Sequence, residues 1–330
     1  GQQVGGRRAD STERNVFRFP TTMVANLIVR ALQRPAARVG SCYRSGGACR
    51  YLSSQTASTT FPTSSDEIVV EKLTGERSGI AVVGFNRPRA RNAIGKVFLK
   101  QLESTLDCLK YDDSLRVLIV RSLVPGVFCA GADLKERAAM PVQEVGPFVA
   151  RLRGATVALE EMPVPTIAAM DGAALGGGLE FALSCDLRVA SNSAKMGLVE
   201  TTLAIIPGAG GTQRLPRVVG RAKAKELIFT GRVLDGEQAE DIGLVNYVVE
   251  QNKEGDAAFQ RALQLAEEIR PQGPIALRMA KLAINKGMDV SISNGLDYER
   301  AYYVQVTQSK DRVEGLTAFK EKRKPNYVGE

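Results

Sequence analysis

Two acids in this 330-residue chain stand in surroundings that acids usually avoid. Glu180 closes DGAALGGGLE (Asp171–Glu180), a glycine-led stretch that follows the apolar run Thr166–Met170. Glu200 is the one acid in GLVETTLAIIPGAGGTQR (Gly197–Arg214), which is otherwise apolar and rich in glycine. A third segment, FCAGADLKE (Phe128–Glu136), follows the β-branched run Val117–Val120. A carboxyl group deprived of water has its proton affinity raised towards neutral pH, where it can take up and release a proton in one cycle. Small residues let a backbone approach a ligand closely. A strand-to-helix turn leaves N–H groups unpaired at the positive end of the helix dipole. Acid–base work beside free amide donors is the chemistry these residue types allow.

The rest of the composition narrows that choice. There is no His in the chain, so Ser–His and Cys–His nucleophiles, His-bound metals and imidazole acid–base steps are excluded. Neither glycine run completes a GxGxxG or a P-loop. Cys42, Cys49, Cys108, Cys129 and Cys185 show no zinc-ligand or CxxC spacing and read as reduced thiols. No metal or redox cofactor is indicated. Taken singly, each segment also has an ordinary reading as a tight turn, a dipole-stabilising acid or a surface acid.

These residues need elements to position them. Ile68–Leu73 and Ile80–Phe85 read as strands, followed by a helix from about Asn92 to Lys110 with Val97, Phe98, Leu102, Leu106 and Leu109 inward. Lys96, Lys100, Glu103 and Asp107 then face outward. Val117–Val120, Thr166–Met170 and Leu187–Ala190 read as buried strands, with a helix over about Val142–Met162. Past about Gly255 only helices are expected, over Ala257–Ile269, Pro274–Lys286 and Asn294–Gln308. Strands alternating with helices give an α/β class.

Charge divides the chain unevenly. Residues 1–65 carry nine Arg and two acids, and so account for +7 of the net +8. That Arg- and Ser-rich segment, with a basic amphipathic stretch from Met23 to Val39, has the composition of a mitochondrial transit peptide. Arg50–Ser54 resembles a processing site, and residues 1–22 read as upstream sequence. The expected organisation is 1–65 transit peptide and disordered segment, 66–255 core, and 256–330 C-terminal helices. No stretch approaches the roughly 18 apolar residues needed to span a membrane.

Read together, CAGADLKER, ALGGGLE, MGLVET and AIIPGAGGTQRLPR, with NRPRARNA at Asn86–Ala93, resemble the signature of the crotonase (enoyl-CoA hydratase/isomerase) superfamily over 66–330. Nearest in appearance are mitochondrial enoyl-CoA hydratases of the methylglutaconyl-CoA hydratase type. The resemblance implies a crotonase-like spiral of ββα units with a C-terminal helical trimerisation region, and hence a homotrimer or hexamer. It implies an acyl-CoA thioester substrate and no separate cofactor, because coenzyme A arrives as part of that substrate. The oxyanion hole falls on the N–H groups of Ala132 and Gly177, which would stabilise a thioester enolate. Glu180 and Glu200 would hold the attacking water, Glu200 giving a proton to the α-carbon and Glu180 helping to activate the water. Coenzyme A would lie near Arg89, Ala90 and Arg91 and near Ala130, Asp133 and Gly176. Guanidinium groups suit its phosphates. The implied setting is fatty-acid or leucine breakdown in the mitochondrial matrix.

Other readings compete. Isomerase-type members commonly keep one catalytic acid, so the presence of both favours hydration over a double-bond shift. RNA binding is also implied by the resemblance to the nearest family type, and would use a row of lysines on the first long helix. Lys96 and Lys100 match that row, but Ser104 takes the third position beside Glu103, which reads as a solvated face with intrahelical charge pairs. A non-catalytic assembly subunit would have had no need to keep Glu180, Glu200 and both glycine motifs.

Overall fold

The central strands are buried along most of their length, and the fold uses both of their faces. The computed structural model describes Gly1, Tyr51–Leu52 and residues 66–330. Most of the expected targeting segment lies outside the described residues. Tyr51–Leu52, within the expected processing site, form a short strand β1 that runs parallel to β2 (Ile68–Lys72). Strand β2 pairs antiparallel with β3 (Ile80–Phe85).

Three repeats follow, and each gives one strand to each of two sheets. The pairs are β4 (Val117–Ser122) with β5 (Val127–Cys129), β6 (Thr166–Met170) with β7 (Ala173–Leu175), and β8 (Leu187–Ser191) with β9 (Met196–Gly197). With β10 (Tyr247–Val249), the larger sheet has the order β1-β2-β3-β4-β6-β8-β10, and the smaller is β5-β7-β9. This is the spiral of ββα units expected from the sequence.

The smaller sheet explains how the three chemical segments meet. Its strands are parallel and adjacent, with Cys129 beside Ala174 and Leu175 beside Gly197. Their C-terminal ends therefore lie side by side. Ala130–Asp133, Gly176–Glu180 and Val199–Glu200 leave those ends in turn.

Period-two geometry divides the larger sheet between two cores. Ile80, Val82, Val117, Ile119, Ile167, Ala169 and Val189 point to one face, covered by Ala258, Ala262, Leu263 and Ala266. Val83, Phe85, Leu118, Val120, Ala168, Met170 and Ala190 point to the other. There the cover is α1 (Lys96–Lys110), α3 (Val142–Glu160) and α4 (Gly177–Ser184), with the five-residue α2 (Leu134–Ala138) preceding α3. Phe85 joins the repeats, its ring centroid 5.0 Å from Phe98, 5.4 Å from Phe128 and 6.1 Å from Phe181. Truncating such a side chain to Ala typically costs about 3–5 kcal/mol.

The first long helix corrects the sequence reading in three ways. It begins at Lys96, four residues after Asn92, because Arg91 and Asn92 occupy left-handed backbone (φ 51° and 56°). The Asn92 side chain holds that turn, donating to the Ser122 hydroxyl (2.7 Å) and the Phe128 carbonyl (3.0 Å). Val97 is 53 % exposed, and Leu99 takes the inward place assigned to it. Lastly, the charge pairs are between helices: Lys96 meets Glu144 at 2.7 Å and Arg151 meets Glu103 at 2.6 Å. The face an RNA backbone would need is thus partly neutralised from α3.

Four helices are not expected from the sequence: the short α2, α5 (Gly211–Val219), α6 (Arg221–Thr230) and α7 (Gly236–Asp241). They follow from glycine-rich or polar sequence in which the apolar period is weak. The four C-terminal helices are α8 (Ala257–Ile269), α9 (Pro274–Gly287), α10 (Ile292–Thr307) and α11 (Lys310–Glu321). The α10 helix starts two residues before the expected Asn294, because the Ser291 hydroxyl caps it by accepting from the Asn294 amide. Helix α8 supplies the residues covering the first sheet face. Cys129 and Cys185 are buried free thiols, and Cys108 is half-buried. No helix among the described residues is long and apolar enough to cross a membrane.

Candidate active site

Glu180 lies on α4, whose eight residues are all buried. Glycine is needed to bring that helix so close to β5: a side chain at Gly178 would collide with the Cys129 carbonyl. Glu180 as a whole is 2 % exposed. Its Oε1 accepts from the amides of Ala209 (2.8 Å) and Gly211 (2.7 Å), far along the chain. Gly211 leaves room for this, since a Cβ there would lie 2.9 Å from both Leu198 and Pro207 and 3.0 Å from Glu180 Oε1.

The loop that carries those amides is itself held from α3. The Thr156 hydroxyl and Arg214 Nη1 donate to the Ala209 carbonyl at 2.8 and 2.9 Å. Arg153 Nε donates to the Gly208 carbonyl at 3.2 Å, and Arg214 pairs with Glu160 at 2.6 Å. Burial raises the Glu180 pKa above the ordinary carboxylate value, against the pull of the two amides and the nearby Arg214 and Arg153. Nothing in the sequence pattern marked Thr156, Arg153 or Arg214 for this task.

Glu200 opens a short 3-10 turn, Glu200–Leu203, closed by Ala204 in left-handed backbone. Among the described residues its buried Oε2 has no hydrogen-bond partner. Burial, with a smaller contribution from the charge of Glu180, pushes its carboxyl up to about 7. A Cβ added at Gly176 would come within 3.3 Å of Glu200 Oε1, so the glycine run passes directly beneath this acid.

The two expected amide donors are brought together. Gly131 takes φ +90°, and its carbonyl accepts from Ile94 N at 2.7 Å, while Asp133 N donates to the Ile94 carbonyl at 3.1 Å. Between those bonds, Ala132 N–H has no partner among the described residues. Gly177 is the first residue of α4 rather than a residue before it, so its N–H is one of the helix's unpaired donors. A Cβ on Gly131 would meet the Leu175 carbonyl at 2.8 Å and Gly177 N at 3.5 Å, which places the two loops in contact. Ala132, Gly177, Glu180 and Glu200 line one open cleft of about 1430 Å³.

Of the expected coenzyme A contacts, Arg89, Ala90, Ala130, Asp133 and Gly176 line the same cleft, and Arg91 does not. Arg91 takes left-handed backbone and is exposed. Asp133 is engaged within the protein. It accepts from the amides of Lys135 (3.0 Å) and Glu136 (3.1 Å) and pairs with Arg87 at 2.8 Å. Burial opposes its charge, but the Glu136 amide and Arg87 hold its carboxyl below the usual range.

Arg87, passed over in the NRPRARNA segment, is the knot of this wall. It also pairs with Glu67 (2.9 Å) and Glu136 (3.0 Å) and donates to the Ala93 carbonyl (2.7 Å). Glu136 accepts in turn from Lys96 N (2.8 Å) at the head of α1. The opposite wall is apolar, with Val149, Leu152, Leu203, Ile205 and Ile206.

The geometry matches known proteins. A family model described as enoyl-CoA hydratase/isomerase matches residues 75–330. The mitochondrial methylglutaconyl-CoA hydratase of Mus musculus is 60 % identical over 265 residues, 80 % of this chain and 84 % of that protein. The mitochondrial enoyl-CoA hydratase domain-containing protein 2 of the same organism is 55 % identical over 302 residues, 92 % of this chain and all of that protein. The crystal structure of an enoyl-CoA hydratase from Bacillus anthracis superposes with a TM-score of 0.76 at 45 % identity, covering 80 % of this chain and all of its own.

Proposed function

The chain belongs to the enoyl-CoA hydratase/isomerase family, and from that premise we propose that it adds water across the 2,3 double bond of an enoyl-CoA thioester. The observation that carries this reading is the pairing of two acids, buried Glu180 and half-buried Glu200, in one cleft with two unpartnered amide donors.

The thioester carbonyl sits between the N–H groups of Ala132 and Gly177. Water attacks the β-carbon, and the electrons of the double bond move onto the thioester oxygen. Two preorganised donors stabilise the resulting enolate, and removing one such donor typically costs about 3–4 kcal/mol. Glu180 suits the part of water activator: its Oε1 is fixed by two amides, which leaves Oε2 for the water. Glu200, with a carboxyl pushed up to about 7, is partly protonated at neutral pH and suits delivery of a proton to the α-carbon. The proton gained by Glu180 returns to Glu200 through exchange with solvent, and the product leaves with one water added.

Coenzyme A lies along the Arg89–Ala90 and Ala130–Asp133 side of the cleft. Arg89 is an exposed cation there for its phosphates. We place the activity in the mitochondrion, the compartment of the mitochondrial relatives it resembles. We further infer a homotrimer or hexamer, because α9 to α11 and the turns between them expose Ile284, Met288, Ile292, Leu296 and Phe319.

The test is hydration of crotonyl-CoA and 3-methylglutaconyl-CoA, followed by loss of the ultraviolet absorbance of the conjugated thioester. Glu180→Gln and Glu200→Gln should each lower kcat by about 10²–10⁴. Turnover that survives unchanged in either variant would overturn the assignment.

A further inference from the structure

We propose that Arg214 is the positioning residue of Glu180: it grips the Ala209 carbonyl from behind, so that the two flanking amides converge on one carboxylate oxygen. This rests on the hydratase reading, in which Glu180 activates the water.

Three successive peptide groups lie behind Glu180. The first ends in Ala209 N–H and the third in Gly211 N–H, and these donate to Glu180 Oε1 at 2.8 and 2.7 Å. The carbonyl between them, that of Ala209, accepts from Arg214 Nη1 at 2.9 Å. Peptide groups are rigid planes, so holding the middle one constrains the N–H directions on either side. The first peptide is gripped at its other end as well, where Arg153 Nε donates to the Gly208 carbonyl at 3.2 Å. A carbonyl that accepts a charged donor polarises its peptide group and strengthens the bond its N–H gives.

Arg214 is held for this task from the side of α3. Its Nη2 pairs with Glu160 at 2.6 Å, and its Nη1 also reaches the Thr156 hydroxyl at 3.3 Å. Gly210 takes φ +110°, and a Cβ there would fall on Arg214 Nη1, so the loop has glycine where the guanidinium crosses it. A planar fork bonds Ala209 and Glu160 at once, whereas an ammonium is a single point of charge.

Charge supports the same assignment. Glu200 shares the cleft with Glu180, and Arg153 and Glu160 come from α3. Helix α5 also carries Arg217, which pairs with Asp289 at 3.3 Å. Strand β5 brings the Cys129 thiol, which donates to the Asn92 carbonyl at 3.0 Å, and β7 has no titratable side chain. Burial raises the Glu180 carboxyl, and the Gly211 and Ala209 amides, Arg214 and Arg153 oppose that rise. Loss of Arg214 removes its charge and slackens the amides, and both effects push the carboxyl upward.

The test follows hydration of crotonyl-CoA against pH by the full chain, as wild type, Arg214→Met, Arg214→Lys and Glu160→Gln. The acid limb of kcat/KM reports Glu180, which must lose its proton, and the basic limb reports Glu200, which must keep one. In Arg214→Met kcat should fall by about 10–100-fold, with the acid limb moved to higher pH and the basic limb in place. Arg214→Lys restores the charge but not the fork, so the acid limb should return towards the wild type and kcat should recover in part. Glu160→Gln keeps the cation and releases its outer anchor, so kcat should fall by about 3–10-fold without a rise of the acid limb. An acid limb that stays in place in Arg214→Met, or a kcat within about twofold of the wild type there, would overturn the proposal. So would a raised limb in Glu160→Gln, which would mark a generally loosened fold and still decides the matter if Arg214→Met does not fold. The infrared carbonyl band of the Glu180 carboxyl, assigned by its absence in Glu180→Gln, gives the same titration without turnover. A band that titrates at higher pH in Arg214→Met, in a protein that hydrates neither crotonyl-CoA nor 3-methylglutaconyl-CoA, would sink the hydratase reading and leave Arg214 in its role.

Discussion

Glu180 and Glu200 face one cleft, yet the protein holds them in opposite ways. Glu180 sits on a helix buried along its whole length, and two amides fix one of its oxygens. Those amides belong to a loop that is anchored by Thr156, Arg153 and Arg214. Glu200 stands on a four-residue turn with no buried member, and one oxygen is buried without a partner. The difference suits two tasks. A group that orients water needs a fixed direction, whereas a group that gives up a proton needs a carboxyl that remains protonated near neutral pH.

The sharpest way to break this contrast is to loosen Glu180 without touching its carboxylate. In Gly211→Ala the new Cβ would press on Leu198, Pro207 and Glu180 Oε1, so the amide must withdraw from the acid. We expect kcat to fall by about 10–100-fold, with a stability loss of about 1–3 kcal/mol from overpacking. A double-mutant cycle with Glu180→Gln isolates the coupling. If the two losses in kcat simply multiply, Gly211 is not acting through Glu180, and the rigid half of the comparison fails.

Much of this site could be read from the sequence because its parts are contiguous. The three strand-and-glycine segments carry Ala132, Gly177, Glu180 and Glu200, and the apolar runs Val117–Val120 and Thr166–Met170 gave the buried strands that lead to them. What escaped the reading depends on distance along the chain. Glu180 is held by amides 29 and 31 residues away, and Arg87 by acids as far as 49 residues away. Composition and spacing carry no record of such pairings. The start of α1 failed for a local reason: Asn92 and Arg91 look compatible with a helix, but their side-chain and left-handed backbone geometry belongs to a turn. The strands of the smaller sheet have two or three residues each, too few to establish a period.

A second, smaller effect should appear in stability against pH. The Glu200 carboxyl rises from 4.5, its ordinary value, to about 7 in the folded protein. Between those values the folded state binds more protons than the unfolded state, so stability must fall as pH rises through that window. The contribution is complete below about 4.5 and lost once pH has passed about 7. Glu200→Gln removes the slope. Above the window it should be more stable than the wild type by roughly 1–2 kcal/mol, allowing for partial solvent screening. Urea titrations at fixed protein concentration, on both sides of the window, provide the check. A difference between the two proteins that is the same at both pH values would mean that Glu200 is not held near neutrality.

The gentlest probe acts on the turn beneath Glu200. Ala204 closes it at φ 57°, with its N–H bonded to the Thr201 carbonyl at 3.1 Å, and Ile205 N reaches the Glu200 carbonyl at 3.3 Å. A Cβ in left-handed backbone costs about 1–2 kcal/mol, and Ala204→Gly relieves that strain. Glycine also gives the unfolded chain more freedom, so the net gain should be about 0.5 kcal/mol, read as a small rise in Tm. Turnover is the more telling readout. Backbone bonds close this turn, the Thr201 and Thr202 hydroxyls tie it to the Ile228 and Val199 carbonyls, and the proton Glu200 carries depends on its burial rather than on a partner that could be misaligned. The kcat of Ala204→Gly should therefore stay within about threefold of the wild type, well short of the loss expected for Gly211→Ala. A collapse as deep as that of Gly211→Ala would mean that Glu200 needs its direction as strictly as Glu180 does, and that the two acids differ in how they are held but not in what is asked of them.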